Sequence, residues 1–164
     1  MARLHRLTLL TAAVLLSLPA AVVGGRPAAA LSCGILPYTE AVVSRTSQRT
    51  TSRAFVDVAG SSIRFRTRET SCIVVQFSGQ VFALGDGSVR TIQVRAVRSG
   101  GGGDVANPEG PIQFTAGPLA DGRSFGLLLP AVPPGLHTVR MQFRSGDGSV
   151  VVIRSFNMNV SRGQ

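Results

Sequence analysis

The chain of 164 residues has no tryptophan, no lysine and a single tyrosine, Tyr38. Sugars and nucleic-acid bases usually stack on flat aromatic rings, so this shortage argues against both kinds of ligand. The eight phenylalanines do not fill the gap, because most of them fall at inward-facing positions of predicted strands. We therefore do not expect nucleic acid as a partner, and sugar binding would need a polar groove instead of stacking.

Residues with catalytic chemistry are equally scarce. His137 is the one histidine after residue 30, and it lies on the apolar face of a predicted strand, where a core histidine with one bonded nitrogen is the simpler explanation. Residues 122–126 have the Gly-x-Ser-x-Gly spacing, but no helical pattern follows them, as the strand-to-helix turn of a nucleophile elbow requires. No His-x-x-x-His spacing occurs, and the acids are scattered singly. We expect no metal and no cofactor, and a binding protein more than an enzyme. His137 remains a secondary candidate site.

Arginine supplies all the basic side chains. After residue 30 the chain has 14 arginines and eight acidic residues, so its net charge is about +6. Guanidinium groups pair bidentately with carboxylates and phosphates, which suits an anionic partner. A GC-rich genome, whose codons favour Arg, Ala, Gly and Val over Lys, explains the same composition and is the explanation that we favour.

The first 30 residues have the layout of a secretory signal peptide. Arg3 and Arg6 precede an apolar run over residues 7–18, and three alanines end the segment at Ala30. The apolar run is shorter than the roughly 20 residues of a spanning helix. We predict a signal helix that is cleaved after Ala30 and a mature chain with no membrane span. An uncleaved anchor and lipid attachment at Cys33 are the alternatives.

Two cysteines, Cys33 and Cys72, remain after this cleavage. An even pair in an exported protein indicates a disulfide, which an oxidising compartment outside the cytoplasm allows. Two cysteines are too few for a structural zinc site, which needs four ligands. We therefore predict a Cys33–Cys72 bond in a protein that is secreted or held in the cell envelope.

Between residues 31 and 164 the sequence is typical of β-structure. Short apolar runs with a period of two alternate with turn signals such as Gly-Asp-Gly, and no run of ten residues has a helical period. About eight strands separated in this way predict a single all-β domain over residues 31–164. The expected architecture is an antiparallel β-sandwich or jelly roll.

The last strands have the clearest pattern. Residues 136–144 alternate between apolar and polar, Asp147-Gly148 favours a tight turn, and a second β-rich run follows. This pattern predicts an antiparallel hairpin that closes the sheet. Its two-residue loop would place Arg154 opposite Met141 on the buried face, where a charge is unfavourable, so we predict a bulge near Ile153 and Arg154.

One stretch resembles a known group of proteins. Val132-Pro-Pro-Gly-Leu-His-Thr-Val-Arg-Met-Gln-Phe-Arg144 is similar to the end of secreted bacterial β-sandwich proteins of the jelly-roll kind, where a Pro-Gly-x-His-Thr-Val run leads into the last strand pair. The similarity is close over residues 132–160 and extends in pattern back to Cys72. It implies an exported sandwich and carries no catalytic residue to this chain.

The densest positive feature is a run in which three arginines alternate with apolar or small residues on one predicted strand: Arg64, Arg66 and Arg68. Such a face can bind a polyanion such as an envelope polymer, a nucleic acid or a lipid surface. An exposed strand that uses charge to prevent edge-to-edge pairing is the alternative that we favour. The three residues are kept as a candidate anion-binding face.

These observations predict an exported, non-catalytic β-sandwich module that binds a partner or is associated with the cell envelope. The partner would be an anionic envelope polymer or another protein. Two alternatives stay open. One is a small secreted hydrolase that uses His137 or an acid pair, and the other is a structural subunit that assembles through a sheet edge.

Overall fold

The computed structural model describes residues 33–34, 38–100, 104–108 and 110–163, so the predicted signal peptide lies outside the described residues. Within them the chain is all-β, as predicted, and no helix long and apolar enough to cross a membrane is found. The eleven strands are β1 Tyr38–Ser44, β2 Gln48–Thr50, β3 Val56–Asp57, β4 Ile63–Thr67, β5 Ser71–Leu84, β6 Arg90–Ser99, β7 Val105–Ala106, β8 Ile112–Ala116, β9 Asp121–Val132, β10 Gly135–Ser145 and β11 Val150–Gly163.

The strands form two antiparallel sheets, and the predicted sandwich is confirmed. The first sheet has the order β1-β11-β5-β9, with β2 also paired to β11. The second has the order β3-β10-β6-β7, with β4 also paired to β10 and β8 to β6. Inward-facing side chains of both sheets, such as Phe77 of β5 and Met141 and Phe143 of β10, form one buried core.

The eight strands of five or more residues pair as the two halves of one long ribbon. β1 pairs with β11, β4 with β10, β5 with β9, and β6 with β8, all antiparallel. The ribbon turns back between β6 and β8, and it is folded over so that successive pairs fall in different sheets. The chain therefore crosses repeatedly between the sheets, and residues far apart in sequence become neighbours.

The predicted closing hairpin is wrong, because β10 and β11 lie in different sheets. β10 pairs with β3, β4 and β6, whereas β11 pairs with β1, β2 and β5. The Gly-Asp-Gly turns at 85–87 and 146–148 both carry the chain from one sheet to the other. Alternation shows which side chains face the core, and it is the same whether the next strand is a neighbour or lies across the sandwich.

The predicted bulge near Ile153 and Arg154 is confirmed. Ile153 and Ser155 pair with consecutive residues of β5, which leaves Arg154 as the extra residue of β11. The extra residue moves the apolar positions from odd to even numbers, so that Ile153 before the bulge and Phe156 after it are both buried. Arg154 is exposed. The bulge keeps a charged side chain out of the core.

The predicted Cys33–Cys72 disulfide is present. It joins the first described residues to β5, and the two Cα atoms are 5.5 Å apart. A disulfide of this kind is typical of proteins that mature in an oxidising compartment. The bond therefore supports the extracytoplasmic environment that the sequence indicates.

Candidate functional site

The structure places the three predicted arginines on one exposed edge. β4 buries Ile63 and Phe65 and exposes Arg64 and Arg66, and Arg68 is exposed just beyond the end of the strand. Among the described strands β4 pairs with β10 alone, so no described strand pairs with its other edge. Within the described residues, none of the three guanidinium groups has an ion pair or a hydrogen bond.

A fourth arginine from the other sheet joins this edge. Arg162, near the end of β11, donates a hydrogen bond to the backbone carbonyl of Arg66 across the seam between the two sheets. Glu40 of β1 and Leu136 line the same groove, which has a volume of about 430 Å³. Sequence reasoning missed Arg162 because it lies 96 residues from Arg66. We call this site the arginine groove, defined by Arg64, Arg66, Arg68 and Arg162.

His137 is buried, with 1% of its surface exposed. Its Nε2 lies 2.8 Å from the carbonyl oxygen of Pro133, and its Nδ1 lies 3.2 Å from Nη1 of Arg98. A carbonyl only accepts and a guanidinium only donates, so Nε2 carries the proton and Nδ1 accepts. Both ring nitrogens are thus bonded inside the core. This is the geometry of a core histidine and leaves no free nitrogen for a substrate.

The fold assembles two pairs of acids that the sequence does not reveal. Each pair holds an arginine between its carboxylates, with nitrogen–oxygen distances of 2.5 to 3.5 Å: Asp57–Arg140–Asp104 and Asp86–Arg90–Asp147. Across the described ranges, no group of three His, Cys, Asp or Glu side chains is placed to hold a metal ion. The carboxylates of both pairs are therefore engaged in ion pairs that connect strands and turns.

Hydrogen bonds also shift the pKa of most of these carboxyl groups downward, which is opposite to the shift that a catalytic acid needs. The pKa of three of them is lowered from its ordinary value by a bond from Gln142 to Asp57, from Ser88 to Asp86, and from the backbone of Ser149 to Asp147. The general acid of a glycosidase needs a raised pKa so that it stays protonated. These aspartates do not meet that requirement.

The outer face of the second sheet is a network of bonded side chains. Arg95 donates from Nε to Gln142 at 2.9 Å, and Arg144 donates from Nε to Gln93 at 2.7 Å. The ring of Phe55 lies against both guanidinium groups, 4.1 Å from that of Arg95 and 4.5 Å from that of Arg144. The long polar side chains of Gln93, Arg95, Gln142 and Arg144 are therefore bonded to one another within the protein.

The outer face of the first sheet carries a larger groove, of about 850 Å³. Ser78, Ser124 and Asn157 form one row across β5, β9 and β11, and Gln80 and Ser155 begin the next row. None of these five side chains has a hydrogen-bond partner in the part of the chain that the structure describes. We call this site the polar groove, defined by Ser78, Gln80, Ser124, Ser155 and Asn157.

Three local features shape the polar groove. The bulge bends β11 at this point. The neighbouring edge is interrupted opposite the bulge, where β1 ends at Ser44 and β2 begins at Gln48. A Cβ at Gly79 would lie 2.8 Å from the carbonyl oxygen of Ser155, so only glycine allows β5 to approach the bulge this closely. The predicted bulge was the sequence signal that could have found this site.

No protein-family model and no curated protein matches this chain.

Proposed function

We propose that this protein is an exported, non-catalytic β-sandwich module that binds an anionic polymer of the cell envelope through the arginine groove. The observation that carries the proposal is the edge on which Arg64, Arg66 and Arg68 are exposed with no acidic partner among the described residues. Arg140, in contrast, lies between two carboxylates that neutralise it. Guanidinium groups without an acidic partner are available to a polyanion and can bind its carboxylates or phosphates bidentately.

The remaining features support export and a binding role. The predicted signal peptide, the disulfide and the resemblance of residues 132–160 to secreted sandwich proteins favour a protein that acts outside the cytoplasm. The folded-over ribbon of four strand pairs supports a jelly-roll classification. Jelly rolls include lectin domains, so this architecture suits a binding module.

Removing the three arginines together tests the proposal. Arg64→Ala/Arg66→Ala/Arg68→Ala should weaken binding to polyglutamate at least about tenfold at low salt and should flatten the salt dependence, because screened Coulomb attraction drives the binding. The matched control replaces the same residues with lysine, which keeps the charge and should keep most of the affinity. Isothermal titration at two salt concentrations measures both. Unchanged binding by the alanine variant would contradict the proposal.

One observation favours assembly through a sheet edge as a second function. Within the described residues, three of the four sheet edges are interrupted, by the gaps between β1 and β2, β3 and β4, and β7 and β8. The fourth edge is β9, a strand of 12 residues whose pairing with β5 is continuous from Asp121 to Leu129 and irregular only at Pro130 and Ala131. Long open edges are the ones that pair with other chains. Sedimentation over a wide concentration range tests this, and a constant monomer mass would contradict it.

The hydrolase alternative has no comparable support. The ring nitrogens of His137 are both bonded, and the two acid pairs each hold an arginine between their carboxylates. A catalytic acid or base must be free to reach the substrate and must have a pKa suited to proton transfer. The described residues offer neither in these places.

A further inference from the structure

The two outer faces of the sandwich differ in how their polar side chains are bonded. On the second sheet, side chains such as Gln93 and Gln142 are bonded to neighbouring arginines. On the first sheet, the five side chains of the polar groove have no hydrogen-bond partner among the described residues. The first face therefore presents unpaired amides and hydroxyls in a concave row, where a ligand could bind them together.

The chemistry of these side chains fits a chain of sugars. Each serine hydroxyl and each carboxamide can donate and accept hydrogen bonds, and so can each hydroxyl of a sugar. β5 and β11 are interior strands that are paired on both sides, so a peptide cannot bind over them by adding a strand. Val43, at the rim, has 70% of its surface exposed and can contact the C–H face of a sugar ring.

The positive charges around the polar groove favour an acidic ligand. Arg45 and Arg154 are exposed where β1 ends and β11 bulges, and neither has an acidic partner among the described residues. Arg123, on the β9 side, is paired with Asp121 at 2.8 Å. None of the described residues that line the groove is acidic. We propose that the polar groove is a second binding site, which takes an extended polysaccharide chain that carries carboxylates.

In this site the two kinds of group have separate tasks. Arg45 and Arg154 bind the carboxylates, and the row of Ser78, Ser124 and Asn157 binds the hydroxyls. The polar groove lies on the outer face of the first sheet, whereas the arginine groove lies at the seam beside β4. The inference therefore does not depend on the function proposed for the arginine groove, and separate variants can test each site.

The test compares two anionic polymers. Polygalacturonate has carboxylates and hydroxyls, and polyglutamate has carboxylates alone. The Ser78→Ala/Asn157→Ala variant should bind polygalacturonate at least about fivefold more weakly than the parent, since two hydrogen bonds are lost. Its affinity for polyglutamate should not change. Isothermal titration measures both affinities, and thermal unfolding confirms that the variant is folded.

A matched control removes two hydroxyls from the other outer face. Thr91 and Thr115 face each other on β6 and β8, and no hydrogen bond of either hydroxyl is found in the described part of the chain. Thr91→Ala/Thr115→Ala should leave polygalacturonate binding unchanged. Arg154→Gln should weaken polygalacturonate binding at least about threefold, because a charge-assisted bond is lost. Dextran, which has hydroxyls without carboxylates, should bind much more weakly than polygalacturonate.

The outcomes separate this inference from the proposed function. The inference is overturned if the parent does not bind polygalacturonate, if Ser78→Ala/Asn157→Ala binds it like the parent, or if dextran binds equally well. The proposed function fails if the Arg64, Arg66 and Arg68 alanine variant still binds polyglutamate like the parent. A loss of polygalacturonate affinity confined to the Ser78→Ala/Asn157→Ala and Arg154→Gln variants supports the polar groove whatever the arginine groove does.

Discussion

Arg98 is a cation inside the protein, with 8% of its surface exposed. Its Nη1 donates to the carbonyl oxygen of Gly100 at 2.7 Å and lies 3.2 Å from Nδ1 of His137. A Cβ at Gly100 would lie 2.5 Å from the carbonyl oxygen of Leu136, so glycine is required for this approach. The alternation of β10 predicts that His137 faces the core, but its partner is 39 residues away and no local pattern identifies it.

The bond between His137 and Arg98 makes a prediction for stability. His137→Leu introduces an apolar side chain of similar size and removes the Nδ1 acceptor that Arg98 faces. The buried guanidinium is then left without this partner, so the free energy of unfolding should fall by about 2–3 kcal/mol. Urea denaturation measures the loss. Adding Arg98→Met removes the unpaired charge and should recover part of that loss. A double variant no more stable than His137→Leu alone would show that the unpaired charge of Arg98 does not cause the loss of stability.

At the scale of the strands, the sequence predicts orientation well and partners poorly. The period of two correctly gives the buried and exposed faces of β4, and the charge of Arg154 correctly gives the bulge. The same period cannot distinguish a hairpin from two strands in opposite sheets, so the pairing of β10 with β11 was wrong. Strand partners depend on how the ribbon folds over, which is a property of contacts distant in sequence.

The bulge gives a prediction for this scale. Gly79→Ala places a Cβ 2.8 Å from the carbonyl oxygen of Ser155, so β5 and β11 must separate. We expect the free energy of unfolding to fall by about 1–3 kcal/mol and polygalacturonate binding to weaken, because the polar groove is built on this contact. Gly126→Ala is the control, since no atom lies within 4 Å of its Cβ position. Equal effects of the two substitutions in urea denaturation would contradict this account.

At the scale of the whole molecule, the sequence predicts what depends on local pattern and chemistry. The all-β class follows from alternation, and the Cys33–Cys72 bond follows from an even pair in an exported chain. The grooves do not follow in this way. The arginine groove joins Arg66 to Arg162 across the seam, and the polar groove combines residues from three strands. Both exist only once the order of the strands is known.

Three aspartates make the stability of the domain depend on pH. Hydrogen bonds in the folded protein lower the pKa of Asp57, Asp86 and Asp147, so in acid the unfolded chain binds more protons than the folded one. Their contribution is present above about pH 5 and is lost as the pH falls through the lowered folded values. The urea midpoint should therefore decrease in acid. The urea midpoint of the Asp57→Asn variant should decrease less steeply with acid than that of the parent, and an identical slope would contradict the role of Asp57.

The disulfide acts on the whole molecule through its unfolded state. Cys33 and Cys72 are 39 residues apart, and closing such a loop stabilises a fold by roughly 4 kcal/mol in the chain-entropy model. Cys33→Ser/Cys72→Ser should lower the free energy of unfolding by about that amount, and the reduced parent protein should match the variant. Because the unfolded chain is the state that changes, the folded variant should still bind polyglutamate like the parent. A variant within about 1 kcal/mol of the parent would mean that the unfolded chain is already compact between these residues.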